Sequence, residues 1–246
     1  MPESRFLCLA VSRKLGGNCI AGIDIDSGKW IRPVCAYGSG ELGDRDITVK
    51  YTGSQSPRLM KPLDVVHLHL DKYVGNSGQP ENWILNLKSN ILPHIVLGQA
   101  INNPSHVARI RNLAEAASLF SDLFGNTADR ISHREIQKDP LSHSLCVIRP
   151  NNLTWARTTD FNNRPRIEGQ FDFGGRNIRY CLSLTDIAWK AKLLDLTVDN
   201  QALESSEVPG IDAHMEILLT ISLGDLFDKT GCHHKLIAGV LGLPRM

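Results

Sequence analysis

The amino-acid sequence predicts a mainly β protein, a β-rich α+β chain of two small barrels joined by a helical connector. Three observations carry this expectation. Apolar and polar residues alternate with a period of two along segments of 5–36 and again of 144–184, as half-buried antiparallel strands do. Between these regions, Val107, Ile110, Leu113, Ala117 and Phe120 recur at helical spacing. The two β regions also open on similar words, Phe6-Leu-Cys-Leu-Ala10 and Ser144-Leu-Cys-Val-Ile148, which suits two related units.

The first unit, residues 1–94, begins with a strand at Phe6–Val11. Gly16-Gly17 bends the chain into a second strand, Cys19–Ile25, where Cys19, Ala21, Ile23 and Ile25 share one face. Asp26-Ser27-Gly28 is a tight hairpin signal before a third strand at Lys29–Ala36. A polar excursion rich in Gly, Ser and Pro follows, with a short strand at Ile47–Tyr51, and further strands are expected at Val65–Leu70 and Gln79–Leu87. Short strands with Gly-rich turns in so few residues favour a small barrel over a doubly wound sheet. The connector, 95–141, holds a helix from Pro104 to Phe124 with Gly125-Asn126 as its stop, and a short helix at Ser132–Lys138. The second unit, 142–246, reads as strands at Leu145–Arg149, Thr154–Thr158 and 166–173, with a return strand after Gly174-Gly175. A short helix at Ile187–Leu196, an acidic loop at 199–212 and strands from His214 and Cys232 complete it.

A length of 246 residues accommodates one or two domains and needs no disulfide or metal staple. Charged residues at 22% and hydrophobic ones at 42% exclude a disordered, collagenous or coiled-coil chain. A net charge of +1 excludes a uniformly basic surface, so any charged function is local. The cysteines are scattered singly with no CxxC pair, which reads as buried free thiols. The opening apolar run is too short for a secretory segment and no window approaches 18 apolar residues, so a cytoplasmic location without membrane contact is expected.

No GxSxG, HExxH, GxxxxGK[ST] or strand-following GxGxxG occurs, which disfavours an enzyme, and no metal or cofactor is expected. His67 and His69 share a strand face, with Cys232-His233-His234 as distant companions, but histidines at a barrel rim explain them as well. Asp24/Asp26 and Asp44/Asp46 sit beside turns, where Asp is ordinary.

Arginine among aromatics is the stronger feature. Alternation puts Trp30 and Arg32 on one face of their strand, where an indole and a guanidinium would stack on a base or clamp a phosphate; Arg13 and Lys14 end the preceding strand. Residues 145–180 carry Arg149, Arg157, Arg164, Arg166, Arg176 and Arg179 against Asp160, Glu168 and Asp172, with Trp155 nearby. Residues 182–228 are strongly acidic, so near-neutrality hides a segregated distribution. A basic β surface suits single-stranded nucleic acid; ordinary pairing with the acidic segment explains the same arginines.

Further motifs carry a family resemblance: Cys8-Leu-Ala-Val-Ser-Arg-Lys14, Gly28-Lys-Trp-Ile-Arg-Pro-Val34, Leu63-Asp-Val-Val66, Gln79-Pro-Glu-Asn-Trp83, Tyr180-Cys-Leu-Ser-Leu-Thr-Asp186, Ile221-Ser-Leu-Gly224 and Cys232-His-His-Lys-Leu-Ile-Ala-Gly239. Together they resemble the dual OB-fold domain family of prokaryotes. His233 departs from the aromatic residue expected there. The resemblance implies two OB-like barrels and a role in binding or sensing nucleic acid or nucleotides, in defence against invading genetic elements. It implies no catalytic residues. Its polar motif positions match Ser12, Arg13, Lys14, Trp30, Arg32, Gln79, Glu81, Asn82 and Lys235. For Gln79, Glu81 and Asn82, capping a turn or tying the lobes together stands beside ligand contact.

The expected function is a non-catalytic module that binds nucleic acid or a nucleotide through Arg13, Lys14, Trp30, Arg32, Arg149, Arg157, Arg166, Arg179 and Lys235. The rivals are an adaptor for an effector protein, acting through 199–212, and a nuclease using His67, His69 and the acidic pairs with a divalent metal.

Overall fold

The described residues of the structure, a computed structural model, are all except 1–2, 15, 52–55, 89–92, 161, 175–177, 197–200, 212–213 and 246. The first sheet is built from β1 (Glu3–Lys14), β2 (Gly17–Asp24), β3 (Trp30–Val34), β4 (Thr48–Tyr51), β5 (Arg58–Leu59), β6 (Asp64–Tyr73), β7 (Asn82–Leu85) and β8 (His94–Gln99). Its order is β1-β2-β3-β7-β6-β8-β4-β5, and a second pairing of β1 with β6 closes five strands into a barrel. The β1–β2 hairpin slips register between Cys8 and Ala10, a bulge that bends β1 around the barrel. The turn into β3 is the one the sequence announced: Gly28 takes φ 72°, and Asp24 accepts the Ser27 N–H at 2.7 Å. Phe6, Cys8, Ile20, Val66 and Leu68 fill the barrel.

β8 runs across the expected boundary at 94 and hydrogen-bonds to both β6 and β4, so the first sheet extends to Gln99. Helix α1 (Pro104–Ser118) starts where Asn103 accepts the Ser105 N–H at 3.0 Å, and it stops short of Phe124, leaving Leu119 and Phe120 exposed. β9 (Arg130–Ser132) and α2 (His133–Lys138) follow; Ser132 and Glu135 form a reciprocal capping box at the start of α2.

The second sheet contains β10 (Leu145–Ile148), β11 (Asn151–Thr159), β12 (Pro165–Phe173), β13 (Ile178–Leu184), β14 (Ala202–Glu204), β15 (Met215–Phe227) and β16 (Cys232–Pro244), with helix α3 (Ile187–Leu196) after β13. Its order is β10-β15-β16-β13-β12-β11-β14, and β9 pairs with β16. The expected acidic loop is corrected in part: β14 pairs with the edge of β11, and Val208 is buried in the core, because an open edge and an apolar face both needed cover. Residues 199–200 and 212 of that segment lie outside the described residues, as do Gly175 and Arg176. Trp155 is also corrected: it is fully buried and stacks on Trp189 at 5.9 Å, so it offers no face to a ligand. All six cysteines are free, with Cys8 and Cys146 buried. No helix among the described residues is long and apolar enough to cross a membrane.

The two sheets share one core. Leu7 and Leu9 of β1 meet Val147, Leu218 and Leu241 of the second sheet, and α1 covers the seam with Val107, Ile110 and Ala114. Ala10 and Ala21 meet Leu145 and Ala238. Gly239 lies so close to β1 that a Cβ there would sit 2.3 Å from the Leu9 carbonyl oxygen, and Thr220 donates its hydroxyl to that oxygen at 2.7 Å. Buried Arg111 of α1 donates to Glu216 and to the Pro244 carbonyl, fastening the helix to the second sheet.

Candidate ligand-binding cleft

A cleft of about 670 Å³ opens between the two sheets. One wall carries Ser12 and Arg13 of β1, Cys19 of β2 and Arg32 of β3; the other carries Arg166 of β12, Cys181 and Ser183 of β13, and Lys235 of β16. Gln79 and Asn82 line it as well.

Arg32 is 6% exposed, and its guanidinium donates to Ser144 Oγ at 3.0 Å, Ser222 Oγ at 3.1 Å and the Leu223 carbonyl at 3.4 Å. Burial pulls its pKa down from the usual arginine value, a pull opposed by nearby Glu81. The expected role of Arg32 as an open phosphate clamp is therefore corrected: both terminal nitrogens already hold the second lobe. Glu81 does the same from the neighbouring strand entry, accepting the Ser144 N–H at 2.6 Å and hydroxyl at 2.8 Å. Gln79 donates to the Leu223 carbonyl at 3.3 Å and accepts from Asn82 Nδ2 at 3.1 Å. Lobe tying thus accounts for Gln79 and Glu81. Asn82 Oδ1 is buried without a hydrogen-bond partner among the described residues.

Lys235 is 2% exposed, and its ammonium donates to the Asn126 carbonyl and side-chain oxygens, both at 2.7 Å, beneath the Tyr180 ring. Burial lowers its pKa to about 8, a pull that nearby Asp122 and Asp129 oppose. Beside it, burial also lowers the pKa of His234. Arg166 pairs with Glu168 but its Nε has no partner among the described residues, and Arg13 rests on Asn18 at 2.9 Å and Asp44 at 3.5 Å, more than half exposed. These cations converge on the cleft from both lobes.

The remaining expected residues lie elsewhere. Trp30 is half-buried against the shared core and lines a separate recess. Arg149 pairs with Glu216 at 3.1 Å; Arg179 pairs with Asp172 at 3.4 Å and donates to the Asn152 carbonyl. Arg157 is half-buried on β11. Lys14 ends β1, and its side chain lies outside the described residues. At the position where His233 departs from the expected aromatic, an imidazole pair fills the space: His233 and His133 stack with centroids 5.4 Å apart. His67 and His69 both contact Glu3, and no group of three His, Cys, Asp or Glu among the described residues is placed to hold a metal ion. Asp24 and Asp46 accept turn N–H groups, as their positions suggested.

Sequence reading missed Ser144 and Ser222, ordinary serines made structural by a buried arginine. It also passed over Cys181 and Ser183, although alternation with the core residues Tyr180, Leu182 and Leu184 had already turned them outward.

The chain matches the family described as dual OB-containing domain over residues 4–240. No curated protein and no solved structure matches it.

Proposed function

Since the chain belongs to the dual OB-containing domain family, we propose that it is a non-catalytic binding module whose interlobe cleft takes single-stranded nucleic acid or a nucleotide derived from it. The observation that supports this reading best is the convergence of Arg13, Arg166 and Lys235 on one cleft from two lobes. Small β-barrels bind such ligands by neutralising phosphate with Arg and Lys while the bases lie against the sheet. Lys235, hydrogen-bonded to a neutral amide, keeps a charge that an anionic group would satisfy. Asn82, whose side-chain oxygen has no partner among the described residues, supplies an acceptor suited to a base edge at the same cleft. A sensing role in defence against invading genetic elements is part of the proposal; genes for a nuclease or helicase beside this one would support it.

The test is fluorescence anisotropy of labelled single-stranded DNA and RNA oligonucleotides, with mononucleotides as competitors, across a salt series. Binding is expected to weaken as salt rises, and each of Arg13→Ala and Arg166→Ala should flatten the log–log salt slope by about 0.7. Absence of binding at low salt, or a double variant that binds like the parent, overturns the reading.

A further inference from the structure

A second recess, of about 530 Å³ and lined by other residues than the interlobe cleft, lies mostly on the first barrel, with Ser142 and His143 at the entry to the second lobe completing it. Three aromatic residues line it: Trp30 at the start of β3, Tyr73 at the end of β6 and Trp83 on β7. Strand pairing brings two of them together. Tyr73 lies opposite Trp83 in the β6–β7 ladder, and their rings meet edge to face with centroids 5.4 Å apart. Tyr73 is 51% exposed, an expensive position for a large aromatic side chain that supports no core.

Charge decides what such a recess would take. Its lining includes the carboxylates of Glu3, Asp24 and Glu81 against the ammonium of Lys29 and the imidazole of His143, so carboxylates outnumber the basic groups. Glu81 is committed to Ser144, and Asp24 to Ser4 and Ser27, but the Glu3 side chain is 59% exposed at the rim beside its two histidines. A phosphate would be repelled here, so the recess is no continuation of a nucleic-acid path from the cleft. Ring faces attract a cation through their quadrupole, and a carboxylate at the rim adds to that attraction.

We infer that the recess of Trp30, Tyr73 and Trp83 is a binding site for an organic cation, of the methylated-ammonium class carried by quaternary amines and methylated lysine side chains. A methylated ammonium is weakly hydrated, so it loses little on entering an aromatic recess. A small hydrated inorganic cation loses much more.

The experiment titrates tetramethylammonium chloride into the full chain, following indole fluorescence, with sodium chloride at matched ionic strength as the control. A saturable change with a midpoint in the millimolar range is expected, absent with sodium. Tyr73→Ala, at an exposed position, should raise that midpoint about fivefold, and Glu3→Gln should raise it less, with thermal melts confirming that both variants fold. A non-saturating response, the same response with sodium, or an unchanged midpoint in Tyr73→Ala overturns the inference. Oligonucleotide binding at the cleft is scored separately, so either site stands or falls alone.

Discussion

Ser144, the residue before the first strand of the second lobe, gives both its backbone N–H and its hydroxyl to the carboxylate of Glu81 in the first lobe, 63 positions earlier. The same hydroxyl accepts from Arg32, so a carboxylate, a serine and a guanidinium form one buried chain across the lobe junction. Removing Glu81 would strand a buried N–H and take away the carboxylate that most opposes the desolvation of Arg32. Glu81→Ala should cost about 3–5 kcal/mol of unfolding free energy, read as a lower urea midpoint; a loss below about 1 kcal/mol would show that the chain relaxes freely.

Gly239 tests the close approach of the lobes independently. Alanine there forces its methyl onto the Leu9 carbonyl, where backbone rather than a flexible side chain must move. Gly239→Ala should destabilise by about 1–3 kcal/mol in equilibrium denaturation. An unchanged midpoint would mean that the two strands are further apart than described.

Lys235 should make ligand binding depend on pH. Its amine loses its charge near pH 8, so affinity for a single-stranded oligonucleotide is expected to fall between pH 7 and 9, and Lys235→Met should remove that fall. Stability runs the other way. The unfolded amine still holds its proton up to about pH 10.4, so between these values the unfolded state binds more protons and stability rises with pH. Opposite trends in binding and in urea midpoint, both lost in the variant, are the signature; parallel trends would refute it.

Asp186 supplies a second pH test. It is fully buried, accepts the Trp189 and Val240 N–H groups at 2.9 and 3.1 Å, and burial pushes its pKa up to about 6. An unfolded Asp titrates near 3.9, so the native state holds the extra proton across that window and this residue's contribution to stability declines as pH rises from about 4 to 6. Comparison of parent and Asp186→Asn unfolding free energies at pH 4 and pH 7 isolates the effect. The variant should lack a decline of roughly 2–3 kcal/mol that the parent shows.

The β-rich class and the longer strands were legible because a period-two pattern survives wherever one face is buried, whereas β5, β8, β9 and β14, short or edge-pairing segments, were not. Helix α3 was legible to the residue. The two similar opening words have a physical explanation: β1 and β10 both run through the lobe junction, with Phe6 and Cys8 facing the barrel while Leu7 and Leu9 face the other lobe, and Cys146 and Ile148 set against Leu145 and Val147 in the same way. Burial on both faces makes an unbroken apolar run. What the sequence did not reveal was which arginines are committed inward. Arg13 and Arg32 look alike in a strand pattern, yet one is exposed and the other is enclosed by serines 112 and 190 residues away, and no local rule reaches that far.

The contact between Thr220 and Leu9 spans 211 positions, and that between Arg32 and Leu223 spans 191. A ribosome making this chain therefore releases β1 long before its permanent neighbour exists. Until β15 and β16 emerge, Leu7 and Leu9 present an apolar strand face to solvent or to a chaperone. Such distant pairing predicts slow folding. Chains stalled before β16 would lack Lys235 and part of one cleft wall, and such a ribosome-bound intermediate is expected to be the form most prone to aggregate.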